Sequence, residues 1–246
     1  MKTFVIGDVH GHHERLQLLL NKARIAWRRD AMPLDMSTGE EVEIVQLGDL
    51  IHAGRETHIR DLITMELAIQ YRMTLLWGNH DFAIMSPDLH GFRGYDPLYP
   101  EALEVFNAVT RHYALSRHGY LLTHAGLHPA YLPDYVSGSK DIANLIHDNS
   151  ATGHPVVTDI GRLRGGWAEQ GGVLWRDDRE DLVDVPQVYG HTKGLIRVHG
   201  GRRYCIDTGS PTNGSLVGMW LPSRKLVAVG DDAELHETTP FVLSGD

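Results

Sequence analysis

The sequence predicts an α/β fold in which a mostly parallel part is followed by a β-rich part. In the first part, short apolar runs alternate with segments whose apolar residues recur every three or four positions. Strand, helix, strand order favours parallel pairing through right-handed crossovers. After about Pro186 the apolar runs are separated by Gly, Pro, Asn and Ser. This pattern of short apolar runs separated by turn-forming residues is typical of antiparallel strands joined by tight turns.

The elements of the first part follow from local composition. Apolar and β-branched residues predict strands over residues 3–6, 42–47, 74–77 and 120–123. Helical spacing between them is carried by Leu16, Leu19, Leu20 and Ala23, and then by Leu62, Met65 and Ile69. Residues 134–172 are rich in Gly, Asp and Asn and have weak periodicity, which predicts an irregular excursion or lid. Strands of the second part are predicted over residues 187–189, 195–199, 204–207, 216–221 and 225–229.

Composition narrows the class of protein. A chain of 246 residues with 42% hydrophobic content is long enough for one domain over residues 1–246 with a sizeable core. The formal charge of −9 predicts no nucleic-acid polymer and no membrane surface as partner. Cys205 is the single cysteine, so no disulfide forms within the chain. With no signal-peptide pattern and no long apolar run, we expect a cytoplasmic protein.

Polar side chains follow five of the predicted strands at the point where each strand ends. They are Asp8 and His10, then Asp49, then Asn79, His80 and Asp81, then His124, and finally His191. Ligands of open α/β sheets bind in the crevice beyond the carboxyl ends of the strands, so we expect these side chains to converge there.

The chemistry of this set predicts a catalytic metal site. Carboxylate, amide and imidazole ligands without a thiolate suit Mn, Fe or Zn, with manganese as the first expectation. Six of these eight side chains acting as ligands would exceed the needs of one tetrahedral ion, whereas two ions that share a carboxylate would use all six. Two ions about 3.5–4 Å apart hold both the attacking and the leaving oxygen in phosphoryl transfer.

The ordered motifs resemble those of the calcineurin-like metallophosphoesterases. The matching motifs are G-D-x-H-G at 7–11, G-D at 48–49, G-N-H-D at 78–81, H-A-G at 124–126 and G-H at 190–191. The chain is most similar to the branch that holds serine/threonine protein phosphatases and the symmetrical diadenosine tetraphosphatases of bacteria. The resemblance implies a fold of two packed mixed β-sheets flanked by helices.

The resemblance also implies a role for each residue. Asp8 and His10 would hold the first metal, Asp49 would bridge both metals, and Asn79, His124 and His191 would hold the second. His80 would be the general acid that protonates the leaving oxygen, with Asp81 orienting its imidazole. A metal-bound hydroxide would attack phosphorus in line.

One departure from the family pattern concerns substrate binding. The second motif usually continues as G-D-x-x-D-R-G, but here His52 stands in place of the Asp and Ala53 in place of the arginine that clamps phosphate. A replacement arginine is expected among Arg55, Arg176 and Arg179, and Arg162 and Arg164 lie in the same later segments.

Three functions remain open on the sequence. The first is a phosphomonoesterase of the serine/threonine protein phosphatase type, acting on a phosphoprotein, a nucleotide or a small phosphate ester. The second is a dinucleoside polyphosphate hydrolase of the diadenosine tetraphosphate type. The third is a non-catalytic scaffold that keeps the metals, against which the presence of His80 and Asp81 argues.

Overall fold

The computed structural model describes residues 1–51, 57–85, 100–150, 153–210 and 214–230. The strands in these ranges are β1 (Lys2–Ile6), β2 (Ile25–Ala26), β3 (Leu34–Asp35), β4 (Glu40–Gln46), β5 (Thr74–Leu76), β6 (Arg111–His112), β7 (Ala114–Arg117), β8 (Tyr120–Thr123), β9 (Gln187–Tyr189), β10 (Arg197–His199), β11 (Arg203–Cys205), β12 (Leu216–Leu221) and β13 (Leu226–Val229). The helices are α1 (His13–Lys22), α2 (His58–Gln70), α3 (Asn79–Met85), α4 (Pro100–Ala108), α5 (Ser139–Ser150) and α6 (Pro155–Thr158), with short 3₁₀ turns at Pro129–Tyr131 and Arg162–Arg164.

The first sheet has the strand order β13-β12-β1-β4-β3-β2, with β5 beside β4 and β6 beside β5. Strands β1, β4, β5 and β6 run parallel, as predicted for the first part of the chain. The predicted strands over residues 3–6, 42–47 and 74–77 are confirmed as β1, β4 and β5. Strand β12 returns from the second part and pairs antiparallel with β1.

The second sheet has the order β10-β11-β9-β8-β7 and corrects one prediction. The predicted strand over residues 120–123 is confirmed as β8, which lies in this sheet. Strand β9 pairs parallel with both β8 and β11, so the part after Pro186 is not uniformly antiparallel. The prediction of antiparallel neighbours joined by turns is confirmed for β10 with β11 and for β12 with β13. Short runs separated by turn residues do not reveal which distant strand each will join.

The two sheets pack face to face, and helices cover their outer faces. Alternate residues of β1 divide between two clusters because side chains of a strand alternate in direction. Val5 packs with Val45, Leu122 and Val188 between the sheets. Phe4 and Ile6 point the other way, toward the leucines of α1. This arrangement confirms two packed mixed sheets flanked by helices.

The region predicted to be irregular contains a twelve-residue helix, α5. Ile142, Ala143 and Ile146 are buried along one face of α5, which packs on β7 and β8. The other residues of α5 are mostly polar and include two Asp and two Asn, so the narrow apolar stripe gave only a weak helical periodicity in the sequence. No described helix has the length and apolar character that a membrane span needs.

Candidate active site

The predicted polar side chains gather where five strands end. Strands β1, β4 and β5 are parallel neighbours in one sheet, and β8 and β9 are parallel neighbours in the other. Because the sheets face each other, the carboxyl ends of all five strands meet at one edge of the sandwich. The structure thereby brings together the segments that carry Asp8, His10, Asp49, Asn79, His80, His124 and His191.

Three ligand atoms converge most closely. The Oδ1 of Asn79 lies 2.9 Å from His124 Nε2 and 2.8 Å from His191 Nδ1. The two imidazole nitrogens are 3.2 Å apart. His124 turns its other nitrogen, Nδ1, toward the carbonyl oxygen of Leu47 at 3.0 Å, which fixes the ring orientation.

The carboxylate of Asp49 is shared by two groups of possible metal ligands. One group joins Asp49 to His124 and His191, and the other joins it to His10 and His80. Asp49 Oδ2 lies 3.6 Å from the Nε2 of His10 and of His124, and 3.9 Å from His80 Nε2. Asp49 therefore occupies the position that a bridging ligand requires. By distance, His80 belongs to the group with His10 and Asp49, although the sequence predicted a proton donor rather than a ligand.

Asp8 enters the site from β1 and is held by the chain that follows β9. Its carboxylate accepts a hydrogen bond from the backbone N–H of His191, at 3.1 Å to Oδ2. The approach is possible only because residue 190 is glycine: a Cβ there would lie 2.0 Å from Asp8 Oδ1. Asp8 and His191, 183 positions apart in the chain, are thus fixed against each other.

The role predicted for Asp81 needs correction. Asp81 is fully buried in the first turn of α3, and its Oδ2 accepts hydrogen bonds from the backbone N–H of Gly78 at 3.1 Å and of Leu50 at 3.4 Å. Its Oδ1 has no hydrogen-bond partner, the His80 imidazole included. Asp81 reaches back to the residue before the helix, as in a capping box. It stabilises the start of α3 and the turn after Asp49.

The arginines that were predicted to bind phosphate differ in their burial and in their hydrogen-bond partners. Arg176 is fully buried, and its guanidinium donates to the carbonyls of Ala125, Asp177 and Glu180 and to the carboxylate of Asp178. It is a structural residue, so the prediction for Arg176 is wrong. Arg179 is 67% exposed and pairs with Asp177 Oδ1 at 2.7 Å. Arg55, like His52 and Ala53, lies outside the described residues.

Burial sets the protonation of the site. It raises the pKa of Asp8 well above the ordinary value, and the charges of Asp207 and Asp49 raise it further. Burial likewise raises the pKa of Asp49, with the charge of Asp81 adding to the effect. Burial lowers the pKa of His124 to about 3 and that of His191 well below 6.5. The imidazoles are therefore neutral at pH 7, as metal coordination requires.

Asp207 is a buried carboxylate of this site that the sequence analysis did not select. It follows β11, beside the end of β9, and its Oδ1 accepts a hydrogen bond from Gly209 N at 2.8 Å. Its charge raises the pKa of both Asp8 and Asp49. The sequence analysis placed Asp207 as the last residue of the predicted strand over 204–207, whereas β11 ends at Cys205, so with the observed strand end Asp207 is a polar side chain after a strand like the others.

The residues present fit a pair of metal ions. Ligand atoms bonded to one ion at about 2.1 Å are separated by about 3.0–3.4 Å. The separations of 2.8, 2.9 and 3.2 Å among Asn79, His124 and His191 are close to that range. With its Nδ1–H donated to Leu47, His124 would otherwise direct the electron pair of Nε2 at the amide oxygen of Asn79, and several carboxylates would remain buried near each other. Cations relieve both conflicts.

This fold and this site define a metal-dependent phosphoesterase. The chain belongs to the calcineurin-like phosphoesterases, whose family model matches residues 1–213. This family uses a two-metal centre, for which the described residues provide the two ligand groups.

The chain is similar to curated and solved members of this class. It is 25% identical to the symmetrical bis(5'-nucleosyl)-tetraphosphatase of Cellvibrio japonicus, over 95% of this chain and 100% of the relative. Its fold is similar to that of a cold-active protein-tyrosine phosphatase of a psychrophilic Shewanella, with a TM-score of 0.56, 18% identity, and 92% and 77% of the two chains covered. A serine/threonine phosphatase from Saccharomyces cerevisiae gives a TM-score of 0.50 at 16% identity, with 93% and 79% covered.

Proposed function

We propose that this protein hydrolyses phosphomonoesters with two divalent ions, as serine/threonine protein phosphatases do. The observation that carries the proposal is the sharing of Asp49 between two groups of ligands, one of which includes the close contact of Asn79, His124 and His191. In the proposed arrangement Asp8, His10 and Asp49 hold one ion, and Asp49, Asn79, His124 and His191 hold the other. Manganese is the first expectation, and iron or zinc suits the same donors.

The bound ions would activate water and neutralise charge on the phosphoryl oxygens. The chain itself supplies orientation and a proton. His80 is the proposed general acid for the leaving oxygen: its side chain is 22% exposed, and its backbone N–H donates to Asp49 Oδ1 at 2.8 Å. Its side chain is more exposed than those of His10 and His124, at 10% and 0%, which suits proton donation to a leaving group that departs toward solvent.

A second candidate is the hydrolysis of dinucleoside polyphosphates. The tetraphosphatase of Cellvibrio japonicus aligns with nearly the whole chain, which favours this substrate class more than fold similarity does. Assays of the manganese-loaded protein on a phosphopeptide, para-nitrophenyl phosphate and diadenosine tetraphosphate separate the two. We expect turnover of the two monoesters, whereas turnover of the dinucleotide alone would reverse the ranking.

The variant His80→Ala tests the mechanism and the scaffold alternative together. We expect turnover to fall by about 10²–10⁴, the usual contribution of a general acid, with metal content unchanged. His118→Ala is the control, because His118 lies on the turn after β7, outside the ligand groups. Loss of a metal ion from His80→Ala would make His80 a ligand instead. Wild-type protein that binds two ions without any turnover would establish the scaffold.

A further inference from the structure

Arg164 is held beside the ligand group of Asp49, His124 and His191. It ends the 3₁₀ turn Arg162–Arg164, and its Nη2 donates to the hydroxyl of Thr192, the residue directly after His191. Its Nε lies 3.0 Å from Asp177 Oδ2. These two contacts hold the guanidinium at the segment that carries a predicted metal ligand.

The loop that carries Arg164 is closed by its own backbone. Arg162 N donates to the carbonyl of Ala168 at 2.9 Å, and Ala168 N donates to the carbonyl of Ile160 at 3.2 Å. Gly166 N donates back to Gly161 at 3.1 Å within the same loop. Arg164 is therefore presented by a pre-organised loop, so little conformational freedom is lost when its guanidinium binds an anion.

The guanidinium retains charge and donors for a ligand. Asp177 faces two arginines, Arg164 through Oδ2 and Arg179 through Oδ1, so one carboxylate stands against two positive charges. A guanidinium has five N–H groups. Nη2 of Arg164 donates to Thr192, and the buried Nε faces Asp177 at 3.0 Å without a hydrogen bond. The Arg164 side chain is 26% exposed, so it remains partly accessible to a ligand.

The hydrogen bond to Thr192 places Arg164 next to the segment that carries His191. The other arginines of this region are committed elsewhere: Arg176 is buried, and Arg197 pairs with Asp178 and donates to the carbonyl of Thr192. Within the described part of the chain, Arg164 thus combines proximity to the ligand groups with partial exposure.

We propose that Arg164 binds a non-bridging oxygen of the substrate phosphoryl group, the role left open by Ala53. The assignment rests on the proposed phosphoesterase function. A planar fork of N–H donors suits two oxygens of one phosphate, and it adds the positive charge that a phosphoryl group attracts. A purely structural alternative is that Arg164 only braces Thr192 and, through it, His191.

Arg164→Met, Arg164→Lys and the control Arg162→Met distinguish these roles. Arg162 is an exposed arginine of the same turn. On manganese-loaded protein we expect Arg164→Met to raise the KM for para-nitrophenyl phosphate and the Kd of inorganic phosphate by about 10- to 100-fold, the range for a charge-assisted hydrogen bond. Arg164→Lys keeps the charge without the fork, so it should raise both constants less. Arg162→Met should change neither by more than about twofold.

The readouts separate each outcome. Phosphate affinity within about twofold of wild type in both Arg164 variants would overturn the proposal. So would lost manganese in both variants, since a brace for His191 would act through the metal. If Arg164→Met does not fold, Arg164→Lys decides between the roles by the same two constants. If wild-type protein binds phosphate but turns over no ester, and Arg164→Met loses that binding, the inference stands and the proposed function falls.

Discussion

His10, Asp49 and His191 have backbone conformations that non-glycine residues rarely adopt. Their φ angles are 49°, 53° and 70°, in the left-handed region. Such conformations cost about 1–3 kcal/mol each and persist where surrounding contacts impose them. Here the carbonyl of Asp49 accepts hydrogen bonds from the N–H groups of Val9 and His10, which locks the first two motifs together. The strain lies at the side chains that converge on the ligand groups.

Asp81 illustrates how one residue type serves two purposes that a sequence does not distinguish. A carboxylate directly after a histidine suggests an orienting partner, yet a side chain in the first helical turn more readily reaches the backbone N–H groups before it. Arg111 reinforces this reading. It is 9% exposed, it lies over the ring of Phe106, and its charge lowers the pKa of Asp81 against the larger effect of burial.

Asp81→Asn should therefore leave proton transfer by His80 unchanged. The amide oxygen of Asn can still accept hydrogen bonds from Gly78 and Leu50, and the variant removes a carboxylate whose pKa is raised by burial, so that its ionised form opposes folding. In chelator-treated protein at pH 8, we expect the free energy of unfolding, measured by urea denaturation, to rise by about 1 kcal/mol. The limb of the pH–rate profile assigned to His80 should keep its pKa. A shifted limb would restore the orienting role. Asn144→Asp, on the exposed side of α5, controls for an Asn/Asp exchange elsewhere.

Strand ends explain why the site could be found from the sequence. Parallel strands deliver their carboxyl ends to one edge, so a list of polar residues after apolar runs is also a list of neighbours. The same logic did not require knowing which sheet each strand joins: β8 lies in the second sheet, and His124 reaches the site because that sheet faces the first.

The parts that could not be predicted depend on long-range packing. Strand β9 has only three residues, and its parallel partners β8 and β11 are decided by the shared core of Leu122, Val188 and Tyr204. Helix α5 forms because three apolar residues of a polar segment meet the outer face of the second sheet. The surroundings of an arginine depend on partners far away in the chain: Arg176 is buried against the carbonyl of Ala125, and Arg164 donates to the hydroxyl of Thr192.

Gly190→Ala tests the junction between β9 and β1. The added Cβ would lie 2.0 Å from Asp8 Oδ1, so the carboxylate must move and its hydrogen bond from His191 N must break. We expect reduced metal content, measured by elemental analysis, and a free energy of unfolding lower by about 1–3 kcal/mol. Gly119→Ala is the control, since it adds backbone strain at φ 80° with no atom within 4 Å of the new Cβ. Equal metal content in both variants would contradict this account of Gly190.

At the scale of the whole molecule, the sandwich stabilises a site that is unfavourable on its own. Apolar side chains between the sheets and on the outer face of each sheet form three buried clusters. At one edge of this core lie Asp8, Asp49, Asp81 and Asp207, each with a pKa raised by burial. Without cations their ionisation opposes folding. Metal binding should therefore be coupled to global stability.

Asp49→Asn should have opposite effects on the metal-free and the metal-loaded protein. The pKa of Asp49 is raised in the folded state from an ordinary value of 3.8, so its ionisation favours unfolding. The penalty is absent below the pKa of the unfolded chain and complete above the folded pKa. In chelator-treated protein at pH 8, we expect Asp49→Asn to raise the Tm by about 2–6 °C, and this gain should vanish toward pH 4. With excess manganese, wild type should gain stability and the variant should not.

Asp35→Asn provides the matched control with the opposite sign. Burial raises the pKa of Asp35, but hydrogen bonds from Ser37 N and from Lys2, 3.1 Å away, outweigh it and leave the pKa lowered. Its ionised form therefore favours folding, and the contribution is lost as pH falls through the lowered pKa. Asp35→Asn should reduce the Tm at pH 8, with or without manganese, and the reduction should shrink in acid. If Asp49→Asn behaves like Asp35→Asn in the metal-free protein, Asp49 is not a buried charge that awaits a cation.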